Sequence, residues 1–122
     1  MNDEREKLDL RTRTKAFALR VVRLYSSLPK TTVTQVLGKQ VLRSGTSVGA
    51  HYREARRARS KAEFISMVAV ALQDLDETTY WLELLIEAGI VSEEKLRPLC
   101  HEANELTAIF VSSVRTVKKR KE

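Results

Sequence analysis

The sequence contains two histidines, His51 and His101, and these are the first candidates for acid–base chemistry near neutral pH. Arg97 stands four positions before His101, so a helix would present both side chains on one face. Their spacing is slightly shorter than that of helical ribonuclease domains that use Arg and His from one helix. Neither histidine has a Glu three positions earlier, so the Glu-x-x-His pair of di-iron bundles is missing. We therefore predict no catalytic residue, no metal site and no cofactor, and keep a ribonuclease or toxin-type enzyme as an alternative.

The other reactive side chains are one cysteine and a group of acids. Cys100 has no His or Asp at a supporting spacing, so we interpret it as a packing residue. Asp74 and Glu77 share a helix face while Asp76 points elsewhere, which is typical of a solvated or salt-bridged surface. His51 has the spacing of the core side of its helix, and we interpret it as a core or interface histidine.

Cations dominate the first half of the chain. Residues 10–61 contain thirteen Lys or Arg and one acid, Glu54, for a net charge of +12. Residues 62–105 contain two basic residues and ten acids, for a net charge of −8. This division indicates a basic surface for a polyanion. Pairing of acidic with basic helices, within one bundle or between subunits, explains the division equally well.

Part of the basic half has the spacing of an outward helix face. Four cations follow that face at steps of four and three: Lys39, Arg43, Arg53 and Arg57. Thr46 and Ala50 lie between them, and such small side chains leave room for a phosphate backbone. Because no aromatic-rich platform is visible, we predict binding of RNA or DNA without base recognition; an ordinary solvated face is the alternative. The predicted nucleic-acid-binding residues are Lys39, Arg43, Arg53, Arg56, Arg57, Arg59, Lys61, Lys118, Lys119 and Arg120.

Four amphipathic segments must position these side chains. Apolar residues recur at helical spacing over residues 13–28, 33–58, 61–88 and 93–118. Ser60 and Ser92 have N-cap positions, and Gly89 has the position of a left-handed residue after a helix. Pro98 lies too deep for a regular first turn, so we expect an irregular or kinked start there. The pattern predicts an all-α, antiparallel up-down four-helix bundle.

Two glycines of the second segment, Gly45 and Gly49, lie in the stretch RSGTSVGAHY. Each costs about 1 kcal/mol relative to Ala inside a helix. We therefore expect a neighbouring helix to approach closely at Ser44, Gly45, Ser47 and Gly49. A phosphate-binding loop would need a preceding strand and a following Lys-Ser/Thr pair, and the stretch has neither.

The third segment is apolar over a wider arc than one core requires. Its residues beyond the core stripe form a patch of the kind that marks an interface. We predict an oligomer interface formed by Val70, Tyr80, Trp81 and Leu84.

Length and composition suit a single domain over residues 1–122, with flexible ends at 1–11 and 118–122. No apolar run reaches the roughly 20 residues that span a bilayer, and the charged N-terminus lacks the apolar core of a signal peptide. One cysteine permits no internal disulfide. We expect a cytoplasmic protein with no membrane partner.

Residues 40–85 resemble the bacterial four-helix-bundle proteins named after intervening sequences of 23S ribosomal RNA genes. His51 stands where those proteins usually have asparagine, so a polar network through this position does not transfer. The positions that carry the resemblance are Gln40, Arg43, Ser44, Ser47, Val48, Glu54, Ala55, Ser60, Lys61, Phe64, Ala71, Leu72, Glu77, Trp81 and Leu82.

The resemblance implies a left-handed antiparallel four-helix bundle that assembles as a homopentamer, with no established enzymatic activity. The family's name records gene location and does not demonstrate ribosome binding. Its members include accessory proteins of diversity-generating retroelements, basic pentamers that bind a reverse transcriptase and nucleic acid. We therefore expect a basic oligomeric scaffold for nucleic acid that acts as an accessory to a reverse transcriptase. Apart from the enzyme, the remaining alternative is a purely protein–protein interaction module.

Overall fold

The computed structural model describes residues 3–120, with side chains from residue 10 onward. This part of the chain contains four α-helices and no strand. They are α1 (Asp3–Ser27), α2 (Thr32–Arg56), α3 (Lys61–Glu87) and α4 (Glu93–Lys119). The predicted all-α class is confirmed, and the helices pack as a bundle in which α2 contacts α1 and α3, and α4 contacts α3 and α1.

The helix ends lie at the predicted capping residues. Ser60 Oγ accepts a hydrogen bond from the amide of Glu63 at 3.1 Å, and Ser92 Oγ accepts one from the amide of Lys95 at 3.2 Å. Gly89 follows α3 with a φ of 73°, the left-handed conformation predicted for it. These bonds and this turn satisfy backbone groups that the helix ends leave unpaired.

Two helix starts differ from the prediction. The backbone of α1 is helical from Asp3, and Leu10 is only 1% exposed, so the helix begins well before the predicted segment. Flexibility of residues 1–11 and 118–122 stays a prediction, and residues 1, 2, 121 and 122 lie outside the described residues. An irregular start at Pro98 is not found, because α4 runs unbroken through this residue, and a kink there stays a prediction. Pro98 is exposed, so its ring points away from the core and one backbone hydrogen bond is lost.

Every helix contributes side chains to one apolar core. Phe17, Val48, Leu75 and Phe110 are each 0% exposed. Tyr52 is 1% exposed and packs on Phe110 with ring centroids 5.4 Å apart. Tyr52, and not His51, therefore lies in the core; His51 is half-buried, and its place in an interface stays a prediction.

Contact with α1 is close because the glycines of α2 face it. A Cβ atom at Gly45 would lie 2.7 Å from Cγ2 of Val21, and one at Gly49 would lie 3.1 Å from Oγ1 of Thr14. The close approach predicted for both glycines is confirmed. Ser44 faces the opposite neighbour, where the Oγ1 atom of Thr78 on α3 lies 2.8 Å from its Oγ. The small residues thus serve two helix contacts.

None of the four helices in residues 3–120 combines the length and the apolar character that crossing a membrane requires.

Candidate nucleic-acid interface

Small residues line a space along the outer side of the α1–α2 contact. Ala18 of α1 and Thr46, Gly49 and Ala50 of α2 are among the residues around a cavity of about 320 Å³. Gly49 brings the two helices together, and the short side chains keep the space beside them open. Thr46 and Ala50, predicted to leave room for a phosphate backbone, both lie here.

Basic side chains from both helices surround this space. Lys15 and Arg53 line the cavity and also a neighbouring one of about 540 Å³, which Arg11 joins. A third cavity of about 210 Å³ is lined by Arg11, Arg53, Arg56 and Arg57. Since Arg53 belongs to all three, the cavities form one continuous surface, which we call the α1–α2 groove.

Five cations and no acid line the α1–α2 groove among the side chains described for residues 10–120. Over the same range, the arginine side chains that form ion pairs lie elsewhere: Arg13, Arg43 and Arg59. No described carboxylate therefore neutralises the groove. Like charges held along a concave surface produce a positive potential that attracts a polyanion.

Tyr52 lies buried beside the arginines of the groove. Burial raises the pKa of the Tyr52 phenol, while a hydrogen bond and the charge of Arg56, and the charge of Arg11, lower it by less. The phenol therefore stays protonated at neutral pH. Its contact with Arg56 ties one guanidinium of the groove to the core.

Sequence patterns identified Arg53, Arg56 and Arg57 but missed the contribution of α1. Arg11 and Lys15 are four residues apart, so they lie on one helix face. This spacing was the sequence signal that could have indicated a basic face on α1. Nothing in the sequence says which helix that face meets. Only the packing of α1 on α2 brings the two sets of cations together.

Arg43, predicted for the same cationic face, is paired with α3. Its Nη2 atom is 2.6 Å from Oε2 of Glu77 and 3.1 Å from Oε1 of Gln40. Both members of the ion pair are about half exposed, 56% and 44%, so the pair contributes little to stability. Lys39 is exposed and precedes Arg53 by fourteen residues, about 21 Å along the helix. The predicted row of cations thus divides, and only its C-terminal part lines the groove.

The remaining predicted cations lie around the α2–α3 connection and at the end of α4. Lys61 Nζ donates a hydrogen bond to the backbone carbonyl of Arg120, which brings the start of α3 and the end of α4 together. Arg59 Nε is 3.6 Å from Oε2 of Glu63 and the Arg59 side chain is 90% exposed. Lys118 and Lys119 are exposed. This basic end adds positive charge outside the groove.

A polar cluster joins α2 to α3. Nδ1 of His51 lies 2.5 Å from Oδ2 of Asp74, whose side chain is 8% exposed. Burial raises the pKa of Asp74, and this effect exceeds the lowering by the hydrogen bond and charge of His51. The predicted salt-bridged acidic surface is confirmed for Glu77, but Asp74 is buried, which the spacing did not indicate.

The other residues considered for catalysis lie on α4. Arg97 and His101 are exposed on α4. Cys100 is half-buried, and burial, together with the carboxylates of Glu83 and Glu93, raises the pKa of its thiol. Little thiolate is therefore present at neutral pH, as suits a packing residue. The described residues contain no group of three His, Cys, Asp or Glu side chains that could hold a metal ion.

Another surface of α3 combines aromatic rings with acids. Tyr80 is 54% exposed, and its ring centroid lies 5.0 Å from that of Trp81. The two rings share a cavity of about 470 Å³ with Asp76, Glu77 and Glu83. We call this the acidic aromatic surface. It contains two of the four predicted interface residues, and the other two, Val70 and Leu84, are half-buried on the same helix.

Comparison with known proteins places the chain in a family. Residues 6–112 match the model of the family described as 23S rRNA-intervening sequence protein. One solved structure, a protein with unknown function from the S23 ribosomal protein family of Bacteroides thetaiotaomicron VPI-5482, is 36% identical to this chain with a TM-score of 0.85. The similarity covers 90% of this chain and 98% of the other. No curated protein matches the chain.

Proposed function

The chain belongs to the 23S rRNA-intervening sequence protein family, and from the charge of its α1–α2 groove we propose that it is a cytoplasmic, non-enzymatic scaffold that binds RNA or DNA through phosphate contacts. The observation that carries the proposal is the convergence of five cations from two helices, with no described acid among them. A bound polyanion would neutralise this charge.

The chemistry of the groove suits phosphate. Four of its five cations are arginines, whose planar guanidinium groups can donate two parallel hydrogen bonds to one phosphate. From Thr46 to Arg57 the groove follows twelve residues of α2 and its C-cap, over about 16 Å. That length spans several phosphates, since a duplex strand carries one about every 3.4 Å along its axis.

Recognition of bases is not part of the proposal, because the groove offers little to read them. The described residues that line it include no aromatic ring. Hydroxyl groups of Thr14 and Thr46 donate to carbonyls of their own helices, those of Leu10 and Leu42, both at 2.7 Å. Apart from the exposed Thr12, the donors left for a ligand are the cations, which position a nucleic acid without specifying its sequence.

We further propose that the helices run antiparallel in up-down order and that the bundle assembles as a homopentamer. The contact of Lys61 with the end of α4 supports the antiparallel order of α3 and α4. Assembly is supported by the family resemblance and by the exposed Tyr80 beside Trp81. A ring of copies would repeat the groove and turn it into a belt of positive charge.

As a protein partner we propose a reverse transcriptase of the diversity-generating retroelement type. The support is the resemblance of residues 40–85 to a family that includes accessory proteins of these elements. The test is whether a reverse-transcriptase gene, with its template and variable repeats, neighbours the gene for this chain. A genomic neighbourhood without such an element contradicts this part of the proposal.

A protein-interaction module is the second candidate, favoured by the acidic aromatic surface. Aromatic rings rimmed by Asp76, Glu77 and Glu83 could dock a partner protein. This candidate predicts association with a protein that survives salt, and no binding of nucleic acid.

The proposal is tested by the salt dependence of binding to structured RNA or duplex DNA. We expect measurable binding at roughly 50 mM salt, with a log–log slope near −0.9 per phosphate contact on a duplex. Replacing Arg53 and Arg57 with Glu should weaken binding to all sequences alike and flatten the slope. Full binding by this double variant, or no binding by the wild type, contradicts the proposal.

A further inference from the structure

One part of the α1–α2 groove has an unusual composition. Of the described side chains, only Arg11, Arg53, Arg56 and Arg57 line its smallest cavity, of about 210 Å³. We call this cavity the arginine pocket. No described carboxylate lies within ion-pair distance of these four arginines, so an anion bound in this cavity would be surrounded by four positively charged side chains.

We propose that the arginine pocket binds a terminal, multiply charged phosphate group, such as the 5′-triphosphate of an RNA strand, while the rest of the groove contacts internal phosphates. This inference rests on the proposed function of the same groove. An internal phosphodiester carries a single negative charge, whereas even a terminal phosphomonoester carries about −1.5 to −2 near pH 7. A terminal di- or triphosphate carries still more, which matches four arginines better.

The size of the arginine pocket supports the same ligand. Its volume lies below the roughly 300 to 1,000 Å³ of pockets that enclose a whole small molecule. A chain of phosphates fits such a space without its nucleoside. The adjoining cavity of about 540 Å³ shares Arg11 and Arg53 with the pocket and also contains Ala16 and Leu19. The first nucleoside of the strand would lie there, beside apolar side chains.

One of the four arginines is hydrogen-bonded to a buried group, and a second lies near that group. Tyr52 is 1% exposed, its phenol is hydrogen-bonded with Arg56, and it lies within electrostatic range of Arg11. A guanidinium fixed by the core loses less freedom when it binds an anion, which raises affinity. The pocket is thus partly organised before a ligand arrives.

The experiment compares two RNA strands of one sequence, with a 5′-triphosphate or a 5′-hydroxyl, and adds inorganic tripolyphosphate as a competitor. We expect the triphosphate strand to bind at least about tenfold more tightly, because added charge-assisted bonds form. Its salt slope should be steeper by about 2, since each phosphate contact on a single strand contributes about 0.7. Tripolyphosphate should remove this advantage.

Arg11→Gln and, independently, Arg57→Gln should abolish the preference for the triphosphate end. Arg23→Gln is the matched control, because Arg23 is an exposed arginine of the same helix α1 outside the groove. If one of these two variants fails to fold, the other still tests the preference.

The outcomes separate this inference from the proposed function. Equal, salt-dependent binding of both strands overturns the inference and leaves phosphate binding by the groove intact. If neither strand binds but tripolyphosphate raises the melting temperature of wild type and not of Arg11→Gln, the pocket stands and the proposed function fails. If tripolyphosphate neither competes nor stabilises, the pocket does not bind polyphosphate.

Discussion

The buried carboxyl group of Asp74 joins helix α3 to helix α2. Its carboxylate contacts His51, and its backbone carbonyl lies 2.7 Å from the hydroxyl oxygen of Thr78. Burial of this carboxyl group disfavours its charged form. Its consequence is a dependence of stability on pH.

The free energy of unfolding should contain a contribution from Asp74 that changes above pH 4. Because burial raises its pKa in the folded protein, the folded state holds this proton more tightly than the unfolded state does. Stability from this group is therefore present at low pH and is lost as pH rises from about 4 through the raised pKa. Asp74→Asn should remove that loss.

Urea unfolding at a series of pH values tests this prediction. The stability of Asp74→Asn relative to wild type should increase as pH rises through this window. Asp76→Asn, which alters an exposed carboxylate two positions away, serves as the control and should show no such trend. A difference that shrinks with rising pH would mean that the attraction of His51 outweighs burial.

The residues of the α1–α2 groove differ in whether the sequence alone could predict their role. Arg53 and Arg57 could be predicted because a cation on the outer face of a long helix stays exposed whatever packs on the inner face. Lys15 could not, since its role depends on which helix α1 meets. Arg43 was predicted for phosphate, yet its long side chain reaches Glu77 on the neighbouring helix. Helical spacing fixes the direction of the Cβ atom of an arginine, but it does not fix the position of the guanidinium group at the end of the side chain.

At the scale of helices, the α1–α2 contact depends on glycine. A side chain at Gly45 has no room, because even a Cβ atom would lie 2.7 Å from a methyl carbon of Val21 and 3.2 Å from its Cβ. The helices could be predicted from spacing and caps, and the close contact from the cost of glycine in a helix. The start of α1 could not, because Thr14 breaks the apolar pattern between Leu10 and Phe17. Its hydroxyl is satisfied by the carbonyl of Leu10, so it is buried all the same.

Gly45→Leu should lower the free energy of unfolding by roughly 1–3 kcal/mol through overpacking against Val21. Ala108→Leu, at an exposed position of α4, is the control for placing leucine on a helix and should change stability by less than about 0.5 kcal/mol. Chemical denaturation measures both. If Gly45→Leu is as stable as wild type, α1 does not pack on α2 as described.

At the scale of the whole molecule, opposite charges occupy different surfaces. The α1–α2 groove is basic and the acidic aromatic surface of α3 is acidic. Two such surfaces could join copies head to tail, which closes a ring when the rotation fits. In that arrangement the groove would bind the next subunit instead of a nucleic acid. Raising the salt concentration distinguishes a charge-paired ring from an apolar interface, because the ring dissociates in salt and the apolar interface persists.

We predict an oligomer near a pentamer, well above the 13.9 kDa of one chain, whose size does not change between low and high salt. Leu84→Glu should shift it toward smaller species, since burying an unpaired carboxylate costs several kcal/mol. Light scattering coupled to size exclusion measures the mass, and Ala108→Glu, which adds a carboxylate at an exposed position of α4, should leave it unchanged. A monodisperse monomer would rule out the interface.

The central claim, that the α1–α2 groove rather than net charge alone binds nucleic acid, is tested most directly by two variants of equal charge. One carries Lys15→Glu and Arg53→Glu within the groove, and the other carries Lys39→Glu and Arg23→Glu at exposed positions outside it. Both lose the same charge, so a non-specific attraction would weaken equally in both. We expect the groove variant to lose binding to duplex DNA at roughly 50 mM salt with a flatter salt slope, and the other to keep most of its affinity. Equal losses in the two variants would contradict the account.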